Sequence, residues 1–208
     1  AVATIFELCK KMGKTPVVMK DGPGFLVNRL LLPYLNEAVY LLEEGYSVEE
    51  IDKAFLKFGM PMGPLHLIDE IGIDVGVKVA KIFHKAFGER AAPSQSMVKI
   101  VDTGRLGKKN KKGFYLYDDK GYKLNVDPKV YGDLSLSMPT KKLDAKVAVD
   151  RGVYAMVNEA ALAFLEDKIV ETPQDVDMCM IMGTGFPPFR GGLLRYADSV
   201  GSEKIVDT

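Results

Sequence analysis

The sequence predicts a mainly α-helical protein made of two related helical units, preceded by a short helix-plus-strand piece. Three observations carry that expectation. Apolar residues recur at helical spacing, between recognisable caps, over most of the 208 residues. Patterns from the first half return in the same order in the second half. Strand-like runs are confined to the first twenty residues and to a stretch near 113–118.

Taken in order, residues 4–13 read as a short amphipathic helix ended by Gly13, and Pro16-Val17-Val18-Met19 as a strand. One strand cannot satisfy its own backbone, so residues 1–20 are expected to be the tail of a parallel α/β sheet. Asp21-Gly22-Pro23-Gly24 reads as a turn that puts Pro23 at the first position of a helix, where a missing N–H costs nothing. That helix should run to about Glu44, stop at Gly45 and kink at Pro33; being apolar nearly all round, it belongs among other helices. Ser47-Val48-Glu49-Glu50 has capping-box spacing and opens a helix ending near Gly59. Further helices are expected near 64–72, 74–88 and 94–103, with Gly59 to Pro64 as a rigid connector. Residues 104–125 turn Gly-rich and basic before the alternating Gly113-Phe114-Tyr115-Leu116-Tyr117-Asp118. The expected division is 1–20, a first unit at 21–125, a linker at 126–142 and a second unit at 143–208.

The repeat rests on four matches. Asn36-Glu37-Ala38 returns 122 residues later as Asn158-Glu159-Ala160, and Asp52 returns as Asp177 after a second helix start at Thr172-Pro173. Gly59-Met60-Pro61 returns as Gly185-Phe186-Pro187. Leu65, Asp69 and Gly72 return 129 residues later as Leu194, Asp198 and Gly201. A slowly growing offset is what tandem duplication with small loop insertions produces.

Composition closes several function classes. Hydrophobic residues make up 47% and charged residues 27%, the profile of an ordinary globular chain. Equal numbers of basic and acidic residues, 28 each, leave no basic footprint for nucleic acid. No apolar run reaches the ~18 residues of a transmembrane helix. The start, Ala1-Val2-Ala3-Thr4, is expected to be a cut or processed end and not a signal peptide. Cys9, Cys179, His66 and His84 lack the paired spacing of a zinc site, so no metal is expected. The cysteines read as free buried thiols, and the histidines as core or surface residues with no obvious carboxylate neighbour in sequence. Gly183-Thr184-Gly185 lacks the helix-opening glycine of a dinucleotide fingerprint.

Asn28 is the sharpest candidate for chemistry. One turn into a buried helix, its amide must find partners or cost roughly 1–3 kcal/mol. The plain alternative is a satisfied core Asn. Arg29 maps onto Arg151 in the repeat and reads as structural, whereas Asn28 maps onto Asp150, so the amide is particular to the first unit. Lys108-Lys109-Asn110-Lys111-Lys112 reads as a solvated loop, or as a lysine reaching a phosphate as a point charge.

These segments resemble the C-terminal half of the L-3-hydroxyacyl-CoA dehydrogenases. The carrying residues are Lys20 to Arg29, Pro61-Met62-Gly63-Pro64 with Asp69, and Gly107-Lys108-Lys109 followed by Gly113-Phe114-Tyr115. The paired units, Ile71 to Val75, Phe87-Gly88-Glu89-Arg90 and the closing Gly185 to Gly192 are similar to the alpha subunit of multifunctional fatty-acid oxidation complexes. The resemblance implies two tandem helical domains of the 6-phosphogluconate-dehydrogenase C-terminal type, with residues 1–20 a remnant of a Rossmann domain. It implies NAD as cofactor, acyl-CoA as substrate, Asn28 as the active-site Asn and Lys109 as a lysine that reaches the cofactor. It also implies that the glycine fingerprint and the catalytic His–Glu pair lie before residue 1, and that the chain ends at Thr208 inside a truncated second unit. The piece is thus expected to be inactive alone. Expected partners are Rossmann and enoyl-CoA hydratase domains of the same polypeptide and a thiolase subunit. The expected compartment is the bacterial cytoplasm or, in a eukaryote, the mitochondrion. Two alternatives stand beside this: an all-helical assembly module with no direct catalytic role, and a dehydrogenase for a different hydroxy acid.

Overall fold

A computed structural model describes residues 1–207; the last residue of the expected second unit, Thr208, lies outside the described residues. Two 17-residue helices, α2 (Val27–Glu43) and α8 (Ala145–Ala161), pack against each other and carry much of the core. From α2 come buried Leu30, Tyr34, Ala38 and Leu41; from α8, Ala148, Val153, Met156 and Ala160. Burial on this scale, at about 25 cal/mol per Å² of apolar surface, is the main stabilising term. A short helix, α1 (Val2–Lys11), precedes them. Between them run α3 (Val48–Phe58), α4 (Pro64–Ile71), α5 (Ile73–Phe87), α6 (Gln95–Asp102), the antiparallel pair β1 (Tyr115–Tyr117) and β2 (Lys123–Val126), and α7 (Lys129–Asp133). After α8 come α9 (Pro173–Thr184), α10 (Leu193–Val200) and α11 (Ser202–Val206).

Two ion pairs join α2 to α8, and they are reciprocal. Arg29 Nε donates to Glu159 at 2.6 Å, and Arg151 Nε donates to Glu37 at 3.0 Å. The start of α2 therefore meets the end of α8, so the helices run antiparallel. Arg29 is 3% exposed, pairs also with Asp167 at 2.7 Å, and stacks 4.5 Å above the Phe87 ring. The matched residues Arg29/Arg151 and Glu37/Glu159 thus hold the packing role expected of them.

The other matched acids act as caps. Asp52, from α3, accepts from the Leu65 and His66 backbone N–H groups at 2.8 and 3.1 Å, satisfying donors at the start of α4. Asp177, from α9, accepts from Leu194 N–H at 2.6 Å and so caps α10. Both need a glycine beside the carboxylate: a Cβ on Gly63 would lie 2.2 Å from Asp52 Cγ, and one on Gly192 2.4 Å from Asp177 Cγ. Asp69 differs. It accepts from Phe114 and Tyr115 N–H and from the Tyr117 hydroxyl, pinning β1 to α4.

Burial pushes the Asp52 and Asp69 carboxyls up to about 6, against the pull of those donors. A raised folded value means that the folded chain takes up protons which the unfolded chain, near 3.8, does not. The stability from this protonation is complete below 3.8 and is lost as pH rises through about 6. Wild-type Tm should therefore gain on Asp52→Asn, which cannot titrate at this position, as pH falls from about 7 to about 5. The gain is up to about 1 kcal/mol per pH unit, and a difference that stays flat or reverses contradicts it.

Several expectations are corrected. Pro16–Met19 form no strand, because no second strand lies beside them; the nearest tie is Lys20 N–H to the Ile169 carbonyl at 2.8 Å. Pro23 does not start α2. Gly24 (φ +71°) and Phe25 (φ +50°) are left-handed, so the helix begins only at Val27. A Cβ on Gly24 would fall 2.1 Å from the Phe83 ring, so only glycine admits that approach. Residues 126–134 are packed and do not behave as a linker. Val130, Tyr131 and Leu134 are buried, and the fully buried Arg105 holds Asp127 and Asp133 at 2.8 and 2.7 Å. The Ser47 capping box is half made: Ser47 accepts from Glu50 N–H, while the Glu50 carboxylate takes the Ser47 hydroxyl and not its backbone N–H. Cys179 is buried and Cys9 half-exposed, both free.

Candidate functional site

Asn28 lies one turn into α2 but is exposed, which corrects the expectation of a buried amide. The satisfied core Asn is its neighbour one face over: Asn36 is 8% exposed and donates to the Ala92 carbonyl at 2.8 Å. Asn28 instead stands on the wall of an apolar cleft of about 220 Å³. Leu31, Leu32 and Leu35 of α2 form one side; Ile71, Val75 and Val79 form the other. A smaller void of about 30 Å³ shares Leu32, Leu35, Ile71 and Gly76 and ends on Met97. The arrangement suits an apolar chain along the groove with a hydrogen-bonding group at Asn28, since clefts of this kind bind by apolar lining and orient by a few polar groups.

The 71–79 wall was not legible as a site, although its signal exists: Ile71, Val75 and Val79 recur every four residues. What it faces is decided by α2, about forty residues earlier in sequence.

Lys109 lies in a single 3-10 turn, Lys108–Asn110, after Gly107. Its ammonium pairs with Asp74 in the first turn of α5 and holds that carboxyl below the usual range. It would come within 3.7 Å of a Cβ on Gly72, so it stands beside the turn that carries Ile71 and Val75 to the cleft. The rest of the basic run is also paired: Lys108 with Glu70 at 2.9 Å, Lys111 with Asp119 at 2.5 Å. A lysine already matched to a carboxylate is a weak phosphate ligand by itself. Gly183-Thr184-Gly185 closes α9 with Gly185 at φ +70° and does not open a helix. The described residues therefore do not make a dinucleotide cradle, and the donors present do not fit NAD on their own.

The histidines do have carboxylate neighbours. His66 lies 3.6 Å from Glu70 and His84 3.2 Å from Glu89. His66 stacks against Tyr117, and burial holds its pKa below the usual value. Neither histidine lines the cleft. Among the described residues no cluster of His, Cys, Asp or Glu is placed to hold a metal ion, and no helix is long and apolar enough to cross a membrane.

Comparisons with known proteins address this site. Residues 24–117, which include Asn28, the cleft and Lys109, match the family described as 3-hydroxyacyl-CoA dehydrogenase, C-terminal domain. Among solved structures, 3-hydroxybutyryl-CoA dehydrogenase from Escherichia coli K12 is 26% identical over 98% of this chain and 58% of its own, with a TM-score of 0.75. The dehydrogenase part of multifunctional enzyme 1 from C. elegans is 30% identical over 92% of this chain and 44% of its own, with a TM-score of 0.65. (S)-3-hydroxybutyryl-CoA dehydrogenase from Ralstonia eutropha is 40% identical over 56% of this chain and 42% of its own, with a TM-score of 0.54. This chain thus spans between about two fifths and three fifths of the chains it resembles. Residues 24–117 are thus similar to the 3-hydroxyacyl-CoA dehydrogenase C-terminal domain, and the chain shares the fold of the helical part of those solved dehydrogenases.

Proposed function

We propose that this chain is the acyl-CoA-handling helical portion of an NAD-dependent L-3-hydroxyacyl-CoA dehydrogenase acting in fatty-acid β-oxidation. The observation that carries the reading is the exposed amide of Asn28 on the wall of an apolar cleft, within the segment matched to that family. The acyl chain lies along Leu31, Leu35, Val75 and Val79, and Asn28 orients the reacting oxygen or the base that serves it. NAD supplies hydride acceptance, and its site belongs chiefly to a Rossmann domain, with Lys109 at its margin.

Residues 21–125 and 143–208 are read as two tandem copies of one helical domain. Reciprocal Arg29–Glu159 and Arg151–Glu37 pairs, and matched caps from Asp52 and Asp177, support this. Exchange of equivalent contacts is the mark of a two-fold interface, here joined in one polypeptide. The likeness to the dehydrogenase part of a multifunctional enzyme supports further domains in the same polypeptide; an enoyl-CoA hydratase domain and a thiolase partner belong to the reading proposed here. Residues 1–20 are read as the tail of the Rossmann domain. Soluble placement in the cytoplasm or mitochondrial matrix goes with that reading.

Acetoacetyl-CoA-dependent NADH oxidation tests it. Full-length dehydrogenase should turn over, and the 208-residue chain alone should not. Appreciable turnover by the chain alone contradicts this division of labour, and none by the full-length enzyme contradicts the activity.

A further inference from the structure

The apolar cleft beside Asn28 continues inward. The void of about 30 Å³ behind it shares Leu32, Leu35, Ile71 and Gly76 with the cleft and is closed by Val39, Ile68 and Met97. Asn36, the polar residue on its lining, already donates its amide to the Ala92 carbonyl at 2.8 Å. A void lined in this way stays dry, and its walls lack partner atoms on one side, so an apolar group gains contacts by entering it. Gly76 stands at the junction of the two spaces, and nothing in the backbone calls for glycine there. It lies inside α5, its φ is outside the left-handed region, and its N–H bonds to the Gly72 carbonyl at 3.0 Å as in any helix. Glycine is the poorest helix former apart from proline. What it provides is room: a Cβ at this position would meet the Met97 Cε methyl at 3.0 Å.

Met97 is the adjustable part of this inner end. Its backbone is held at the start of α6, where its N–H donates to the Ser94 hydroxyl at 3.1 Å and the next N–H back, from Ser96, donates to Glu43 at 3.1 Å. The side chain is buried, unbranched and able to fit its shape to what it touches. The dimensions set a chain length. Asn28 and Leu35 stand two turns apart on α2, about 10 Å at about 1.5 Å per residue. An extended methylene chain with bonds of about 1.5 Å advances about 1.3 Å per carbon, so about eight carbons cover that span. The volumes agree: at about 30 Å³ for a water-sized group, the cleft of about 220 Å³ holds about seven and the void about one more.

On the dehydrogenase reading above, on which this rests, we propose that Gly76 and Met97 select acyl chain length. With the reacting C3 at Asn28, the tail of a medium-chain acyl group, about ten to twelve carbons in all, passes Gly76 and ends against Met97. Kinetics of the full-length dehydrogenase with NADH test this, using 3-oxoacyl-CoA thioesters from acetoacetyl-CoA to 3-oxohexadecanoyl-CoA in two-carbon steps. Wild-type kcat/KM should rise with length by up to about fourfold per methylene, peak in that window and fall at least about tenfold by the longest thioester. Each variant is read as the ratio of kcat/KM for a long thioester to that for acetoacetyl-CoA. Met97→Ala removes the floor, so its ratio for 3-oxotetradecanoyl-CoA should rise at least about fourfold and its peak move about two carbons longer. Gly76→Ala puts a methyl into the junction, so its ratio for 3-oxododecanoyl-CoA should fall at least about fourfold, chiefly through KM. Alanine favours the helix and displaces only the end of a flexible side chain, so this second variant should fold even where Met97→Ala does not. A wild-type peak outside that window overturns the proposal, as does either folded variant with unchanged ratios, since a merely structural residue lowers every length in step. No turnover at any length, acetoacetyl-CoA included, overturns the dehydrogenase reading, whereas turnover with the wrong length profile overturns the selector alone.

Discussion

Arg29→Ala should lower stability by about 3 kcal/mol, a fall in Tm on the order of 10 °C for a chain of this length. Arg29 is 3% exposed, and its guanidinium serves Glu159, Asp167 and the face of Phe87 at once. Removing one partner of a buried ion pair leaves the other charge in a poor solvent, which costs 3–5 kcal/mol as a rule. The lower end applies here for two reasons. Glu159 keeps Arg90 at 3.1 Å, and Asp167, half-exposed, can recover water. The matched variant Arg151→Ala should cost no more than about 1 kcal/mol, because that side chain is 28% exposed and its partners are hydrated. Replacing both Arg29 and Glu159 with Met and Leu should restore most of the loss, since apolar groups need no counter-charge. Thermal unfolding of the three variants checks this. Equal losses for Arg29→Ala and Arg151→Ala would contradict it.

The asymmetry between those arginines was not legible in the sequence, although their equivalence was. The pattern Asn-Glu-Ala repeated at 36 and 158 marked Glu37 and Glu159 as matched packing residues without naming what each would meet. What it could not supply is the widened π-helical turn at Leu162–Glu166, after which Asp167 meets Arg29. Helices α3 to α6 appeared within a residue or two of expectation because capping residues and glycines mark their ends locally: Ser47, Gly59, Pro64, Gly72 and Ser94. Strand β2 went unseen because Lys123, Leu124 and Asn125 are exposed and give no alternation to read. Residues 126–134 looked like linker for a related reason. Their burial depends on Arg105, a charged residue that no hydrophobic pattern would place at 0% exposure.

The site divided in the same way. Asn28 could be singled out from the sequence, and so could the family that residues 24–117 resemble. Its surroundings could not, because α2 is apolar on nearly every face and only the fold decides which face stays open. Tyr34 and Leu30 turn to the core, while Leu31, Leu32 and Leu35 reach the cleft. The lysine run was legible as basic but not as paired, since Glu70 and Asp74 come from α4 and α5.

Asn28→Ala carries the second large effect. An exposed amide with no packing burden can be truncated at a cost within about 0.5 kcal/mol of stability. If that amide orients the reacting oxygen or its base, its loss removes an interaction made chiefly in the transition state. Losses of that kind lower kcat about 10²–10³-fold while KM moves little. An assembly-only role makes the opposite forecast, a change in stability with catalysis untouched. The deciding measurement is kcat and Tm for Asn28→Ala in the full-length dehydrogenase, with acetoacetyl-CoA and NADH. The account predicts a fall in kcat of about 10²-fold or more at unchanged Tm; an unchanged kcat, or a Tm that falls in step with activity, would contradict it.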